Sequence, residues 1–377
     1  MKFIVSSTEL LGRLQSISRV ISSRNTMAIL DNFLFRLKEN TLTITASDTE
    51  TTMETLLNIE QVEKEGAVAI PAKWLVDTLK EFPEQPLTVS VDASQRVEIS
   101  WNNGNGQMIT PGSLADDYPS KQGLNEDANR IALPADVLLE GLNLTLFATA
   151  NDELRPVMNG IFFDLKPDGG ATLVASDSHK LMYYQRKDIA SDKESSFILP
   201  QKPAALLKSI LPKITEAVEV AFDDKNAVFT LSGYTLTCRL VEGNFPAYRS
   251  VIPTNNEKKV TVDRIEFMNS VRRVSVCSNQ ASNLIKLKIE NNGITISAQD
   301  LDFSVSAHER VNCNYEGEEI EIGFKSSFLT EILANLPSTN VSLKLSDPTR
   351  AGLILPLETD DENKETLALL MPMMIGV

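Results

Sequence analysis

The stretch Val174-Ala175-Ser176-Asp177-Ser178-His179-Lys180-Leu181 decides how this chain is read, because its centre recurs. Ala46-Ser47-Asp48 and Ala298-Gln299-Asp300 each close one alternating apolar and polar run and open another. An Asp side chain accepts bonds from amides just downstream, so the recurring Asp predicts a hairpin corner. Ser176, Asp177, Ser178 and His179 also contain the residue types of a hydrolytic triad. A triad, however, gathers its members from separate elements around an oxyanion hole, whereas these four are contiguous. Asp48 keeps Ser47 but has no His beside it, and Asp300 has neither, so the full Ser and His set does not recur with the Asp; the corner is the expected role and no catalytic residue is assigned.

Working outward from the three corners, the chain repeats at a period of roughly 125 residues. Each copy opens with a short strand and an amphipathic helix, over Phe3 to Ser22, Ile131 to Ala148 and Val260 to Cys277. Leu10, Leu14, Ile17 and Ile21, then Leu139, Leu142 and Leu146, then Phe267, Val271 and Val274 fall at helical spacing, which predicts one buried face per helix. Past the corner comes a further strand and a second helix, marked by Pro71, Lys73 and Pro83, by Pro200, Lys202 and Pro212, and by Phe324, Lys325 and Pro337. More strands close each copy. The fold class expected is α+β, with three tandem repeats over 1–127, 128–253 and 254–377, each setting two helices against antiparallel sheets. No Gly/Ser linker separates them, which predicts rigid packing in a row.

The 377 residues exceed one ordinary core and, with 42% hydrophobic residues, can bury several. Cys238, Cys277 and Cys313 are too few and too far apart for a zinc ribbon or a disulfide framework, and the apolar start Met1 to Val5 is too short for a signal peptide. A cytoplasmic protein with no membrane segment is expected. His179 and His308, the only histidines, lie in different copies, so no metal and no cofactor is expected. Gly104-Asn105-Gly106 lacks the following helix that phosphate binding needs and reads as a hairpin turn. The run Asp360, Asp361, Glu362 with Glu365 reads as a solvated acidic loop.

The net charge of −15 at first excludes a nucleic-acid partner. Its distribution softens that exclusion. The helical segments 8–22, 72–82, 135–148, 201–213, 263–277 and 325–336 carry +1, 0, −2, +3, +1 and 0, so the helices total +3 in an acidic chain. A helix-lined face can tolerate a polyanion that the rest of the surface repels, although Lys and Arg are also simply good helix formers.

Several short motifs fall into one order. Met1-Lys2-Phe3, Arg24 followed by Ile29-Leu30 and Asn32, Asn159-Gly160, Val174 to Leu181, Phe245-Pro246-Ala247-Tyr248 and Met371-Pro372-Met373 together resemble the bacterial DNA polymerase III beta subunit family, the sliding clamps, across the whole chain. The resemblance implies a non-enzymatic processivity factor. Two protomers would join head to tail into a ring of six domains, with twelve helices around a hole for double-stranded DNA, bound without sequence specificity. Encirclement needs only weak backbone contacts, which reconciles an acidic chain with a DNA partner. Arg24 falls on the family's DNA-contacting arginine, and Arg13, Arg19, Lys202, Lys208, Arg272 and Arg273 are added as inner-face charges.

The same resemblance implies a groove that captures short peptides of the replicative polymerase alpha subunit, the clamp loader and other proteins bearing a clamp-binding motif. Its expected residues are Arg155, Val157, Met158, Ser176, Ser178, His179, Lys180, Leu181, Pro246, Ser250, Val251, Leu369, Leu370, Met371, Pro372 and Met373. A Met-rich apolar surface adapts to varied anchors. Ser178 and Lys180 stand where the family often has Gly and Arg, Ser250 where Arg is common, and the tail Met374-Ile375-Gly376-Val377 lacks the frequent penultimate Arg. The homodimer seam is expected to join an edge strand near Met108 and Thr110 to the helix end near Val276 and Cys277. A peptide-binding scaffold without DNA is the competing reading, and a hydrolase built on Ser176 or Ser178 with His179 is a third.

Overall fold

The computed structural model describes residues 1–22, 25–358 and 361–375. They form two compact units, 1–139 with 205–240 and 140–204 with 241–377. Six α-helices occur among the described residues: α1 (Ser7–Ile17), α2 (Ala72–Leu79), α3 (Ala135–Thr145), α4 (Gln201–Ile210), α5 (Arg264–Ser275) and α6 (Ser326–Asn335). They are shorter than the segments read from sequence, because Ser18–Val20, Leu146–Ala148 and Leu211–Lys213 tighten into single 3-10 turns. Ser6 caps α1 by accepting the Glu9 amide, and Asp263 caps α5 by accepting that of Glu266. Both place a glutamate at the third helical position, where it complements the amide-rich end.

In the first unit a five-stranded sheet runs in the order 61–64, 2–6, 86–91, 96–101, 106–111. An eight-stranded sheet runs 129–133, 218–222, 226–231, 234–239, 51–58, 41–47, 32–38, 66–71. The second unit holds one twelve-stranded sheet, 195–200, 160–166, 170–176, 180–186, 364–370, 352–356, 340–345, 258–263, 305–314, 293–300, 284–290, 320–325. All the pairings are antiparallel. Amphipathic helices cover these sheets: Leu10, Leu14 and Ile17 of α1, and Phe267, Val271 and Val274 of α5, are buried, as their spacing predicts, whereas Ile21 is half-buried and in α3 the buried face is carried by Leu138 and Leu142, with Leu139 and the following Leu146 half-buried.

Six strands shape the functional surfaces and are labelled β1 (Thr51–Asn58), β2 (Gly106–Pro111), β3 (Lys180–Arg186), β4 (Tyr234–Arg239), β5 (Val305–Asn314) and β6 (Lys364–Leu370). The odd-numbered strands succeed the three Asp corners, and the even-numbered ones close the three repeats. In the first unit β4 of the middle repeat pairs with β1 of the first, with Leu236 opposite Met53. In the second unit β6 of the last repeat pairs with β3 of the middle, with Ala368 opposite Met182. Consecutive repeats are thus joined by backbone ladders, and the middle repeat gives one sheet to each unit. That is why no flexible linker is needed.

Gly104-Asn105-Gly106 is a turn, as its composition predicts. Asn102, Asn103 and Gly104 take left-handed backbone angles between strands 96–101 and 106–111, and a side chain at Gly106 would strike the Trp101 ring. The packing under α5 sets an expected outcome. Phe267→Ala, which empties a fully buried site, costs about 3–5 kcal/mol and lowers the urea midpoint, whereas Gln15→Ala on the exposed side of α1 shifts stability by less than about 0.5 kcal/mol.

Candidate functional site

The Asp177 corner is built as a closed polar turn. The Asp177 carboxylate accepts the amides of His179 and Lys180 at 2.9 and 2.8 Å and the Lys180 ammonium at 2.8 Å. Ser178 takes a left-handed backbone, φ 74°. Burial works against the Asp177 charge, but the bonds from Lys180 and the two amides outweigh it and hold the carboxyl below its ordinary value of 3.8. Asp48 accepts the amides of Glu50 and Thr51, and Asp300 those of Asp302 and Phe303, so the recurring Asp serves the turn in all three repeats. The Ser176 hydroxyl donates to the Lys180 carbonyl at 2.8 Å. Its proton is committed inside the turn, and the His179 ring lies against Phe328, 5.8 Å between centroids, which leaves the hydrolase reading without a nucleophile–base pair.

Lys180 is only 5% exposed. Its ammonium bridges Asp177 and the Glu331 carboxylate of α6, at 2.8 and 3.1 Å, and sits 4.3 Å from the Phe328 ring centre. Lys325 approaches the same ring at 4.6 Å. A buried ammonium is tolerated because two carboxylates and an aromatic face replace its water.

Beside this turn lies an apolar cluster. Leu181 and Tyr183 of β3 sit opposite Leu369 and Leu367 of β6, and Val174, Tyr248 and Leu353 complete the buried floor. Phe162, Phe245, Ile252, Ala351 and Leu355 carry it toward the surface, with Phe162 and Phe245 stacked at 4.8 Å. Tyr248 is fixed from its polar end: its hydroxyl donates to Asp164 at 2.7 Å and accepts from Arg249 at 3.0 Å, and burial raises its pKa.

The β1–β4 ladder supplies an internal control. In the same strand positions where β3 and β6 place Leu181, Tyr183, Leu367 and Leu369, it places Thr52, Glu54, Thr235 and Thr237. The neighbour of Glu54 is Thr45 where that of Tyr183 is Val174. Glu54 is occupied by Thr45 and by Lys121, 2.6 Å away. One backbone plan therefore carries a polar face at one ladder and an apolar one at the other, so the apolar face is not a requirement of the fold.

Of the groove residues read from sequence, Leu181 and Leu369 line the floor. Ser176, Ser178, His179 and Lys180 form the turn at its end, and Met371 continues β6 by donating its amide to His179 at 2.8 Å. Met371 is 43% exposed, while Pro372 and Met373 are half-buried, with the Met373 amide bound to Gly323. Val251 is 56% exposed, Pro246 and Ser250 are exposed, Met158 is buried and Val157 half-buried. Arg155 is exposed and held by Asp152 at 2.9 Å. Leu370 alternates to the opposite sheet face from Leu369. Phe162, Tyr183, Phe245, Tyr248, Leu353, Leu367, Lys325 and Phe328 were missed. The period-two pairs Leu181 with Tyr183 and Leu367 with Leu369 carried the signal, but an alternating strand does not announce which of its faces is the useful one.

Among the expected DNA contacts, Arg24 lies outside the described residues. Arg13 does not project freely: its guanidinium stacks on Tyr234 at 5.2 Å, because the Tyr234 hydroxyl is pinned near Ser16 of α1. Arg19 and Arg272 are exposed, and Lys202 and Lys208 of α4 are half-buried. Arg273 is exposed but forked onto Glu309, which raises its pKa. Of the seam residues, Met108 is 37% and Val276 82% exposed, Thr110 is buried and Cys277 half-buried. Ile109, next to Met108, is a further exposed apolar side chain, as are Leu301, Phe303 and Val305 at the third Asp corner. Among the described residues no group of His, Cys, Asp or Glu could hold a metal ion, and no helix is long and apolar enough to cross a membrane.

Models of the N-terminal, central and C-terminal domains of the DNA polymerase III beta subunit match residues 1–122, 132–247 and 249–374. The chain belongs to that family. A beta sliding clamp of Synechococcus elongatus is 30% identical over 95% of this chain and 96% of its own, and one of Vibrio cholerae 26% over 96% and 97%. Among solved structures, the sliding clamp of Bartonella birtlesii bound to griselimycin superposes with a TM-score of 0.92 at 29% identity, and one of Pseudomonas aeruginosa with a TM-score of 0.93 at 25%, each over all of both chains. The chain is thus a sliding clamp in function, a non-catalytic processivity subunit of DNA polymerase III with three clamp-fold repeats.

The Asp177 turn gives a pH signature. A depressed carboxyl pKa stabilises the fold above its unfolded value, and this is lost as pH falls through the lower folded value. Asp177→Asn should therefore lower the melting temperature at pH 7, with the difference from the parent chain shrinking as pH is taken below the ordinary 3.8. An undiminished gap at pH 3 would show that the carboxylate charge is not what the turn uses.

Proposed function

We propose that two copies of this chain close head to tail into a ring around duplex DNA, and that the apolar face at the β3–β6 ladder is its peptide groove. The observation that carries the groove is the contrast between ladders, Leu181, Tyr183, Leu367 and Leu369 against Thr52, Glu54, Thr235 and Thr237. Apolar side chains that the fold does not require, bordered by exposed Met371 and Val251, fit a surface that binds partners. Linear peptides of the polymerase alpha subunit, the clamp loader and other clamp-binding-motif proteins are the ligands proposed, with Phe328, Lys325 and His179 at one end and Phe245 and Tyr248 at the other. The Bartonella birtlesii clamp bound to griselimycin shows that a relative of this fold holds a ligand.

Ring closure is supported by two strand edges left open. Among the described residues, outside its contact with strand 258–263 at Cys313 and Asn314, β5 is paired only with strand 293–300, and β2 only with strand 96–101. Edges that long invite pairing, and a head-to-tail dimer uses both. The divisions 1–127, 128–253 and 254–377 are the domains of this reading, and the cytoplasm its compartment. Arg24, Arg19, Lys202, Lys208 and Arg272 are the cations proposed to face the DNA phosphates. Arg13 and Arg273 are given smaller parts, since Tyr234 and Glu309 already engage them.

After loading, the protein is expected to stay on nicked circular DNA through a gel-filtration column and to run off once that DNA is linearised. Equal retention on both would remove encirclement and leave a peptide-binding scaffold. Deleting residues 371–377 should weaken binding of a polymerase-tail peptide at least about tenfold, the scale of one or two lost apolar anchors, with the sedimentation coefficient of the dimer unchanged. Monomerisation of that deletion would contradict a groove separable from the seam.

A further inference from the structure

Leu301 and Phe303 are 80% and 74% exposed on one short loop, in a chain whose other large apolar side chains are mostly buried. The two ladders within the chain indicate what covers them. Across the hairpins, Ala46, Ala175 and Ala298 pair with Met53, Met182 and Ala307, while Ile99, Phe229 and Ile354 pair with Met108, Leu236 and Ala368. Ala307 is therefore the counterpart of Met53 and Met182, and Met108 that of Leu236 and Ala368. Within the chain these counterparts face each other, Met53 opposite Leu236 and Met182 opposite Ala368. Carried to a seam between two copies, the same rule sets Ala307 opposite the partner's Met108 and Ser306 opposite the partner's Ile109.

That register exposes a difference. In both ladders within the chain the corner is a two-residue turn whose last carbonyl takes an amide from the partner strand's exit: Glu50 from Arg239 and His179 from Met371, each at 2.8 Å. Three residues beyond Met108, the counterpart of Arg239 and Met371 is Pro111, which has no N–H to give. The corner itself is also different, because Asp300 pairs with Val305 and the turn lengthens to four residues, Leu301 to Ser304. On the opposite side, Leu114 is 54% exposed just past Pro111, and Met108 and Ile109 are 37% and 38% exposed.

We propose that Leu301–Ser304 is a hydrophobic clasp for a second copy of this chain: Leu301 and Phe303 close over the partner's Pro111–Leu114 segment in place of the backbone bond that Pro111 cannot make. This rests on the ring reading and specifies how its seam is held. Apolar contact is less directional than a backbone bond, so the seam between copies can part where the ladders within each copy stay shut.

The test uses the full chain. Phe303→Asp and Leu301→Asp, assayed by sedimentation equilibrium, should each raise the dimer dissociation constant roughly ten- to a hundredfold, as expected for one buried apolar side chain, and leave binding of the groove peptide unchanged. Ser306→Cys combined with Ile109→Cys should cross-link into a covalent dimer under mild oxidation, and Ser306→Cys with Met108→Cys, one residue out of register, should not. If the parent chain is monomeric at micromolar concentration, the ring reading fails and the clasp with it. If the parent chain is a dimer and the in-register pair cross-links, but both Asp variants associate as tightly as the parent, the clasp alone is overturned.

Discussion

Every strand edge in this molecule poses the same problem: a row of backbone amides and carbonyls that must find partners or remain as a template for unwanted pairing. The chain solves it by running ladders through the junctions between its repeats, β4 onto β1 and β6 onto β3. Those two ladders fix how consecutive repeats meet, and the β6–β3 ladder also carries the apolar floor of the proposed groove. They also leave one β2 edge and one β5 edge over. The architecture stems from that single constraint on backbone hydrogen bonding, and the proposed groove and ring rest on it.

Repetition of one plan makes the specialised parts visible. Because the fold occurs three times, each position has two counterparts under nearly the same local physics, and a departure at one of them asks for its own cause. Leu and Tyr replace Thr and Glu at the β3–β6 ladder, a buried Lys180 stands where the first corner has Thr51, and the third corner is two residues longer. The buried lysine shows how polar and apolar parts are coordinated. Its ion pairs with Asp177 and Glu331 tie the corner to α6, which places Phe328 and the His179 ring beside the exit of β6.

Charge obeys the same logic. In the proposed ring an acidic chain would hold DNA by topology, since encirclement replaces affinity and a modest excess of helix cations is enough to permit sliding. The structure engages part of that excess, for Arg273 is paired with Glu309, and Arg13, though its charge is not neutralised, is stacked on Tyr234. Weak attraction suits the proposed ring, because each phosphate contact added would steepen its dependence on salt.

The sequence by itself determined the repeat, the Asp corners and the buried helix faces. Each is a local matter: a side chain bonding amides two or three residues on, or apolar residues recurring at 3.6-residue spacing. The groove was legible only in part, through the corner at 176–181 and the segment 369–373, because those residues lie close together in sequence. Tertiary structure alone decided the rest. Which strand lies beside which is a contact over 178 to 190 residues, as Thr55 with Gly233 and Lys180 with Leu370 illustrate, and no local pattern encodes it. It brought Phe162, Phe245, Tyr248 and Phe328 to the groove, turned Arg13 and Arg273 toward partners of their own, and left Leu301 and Phe303 uncovered, because the residue that satisfies a side chain can come from anywhere in the fold.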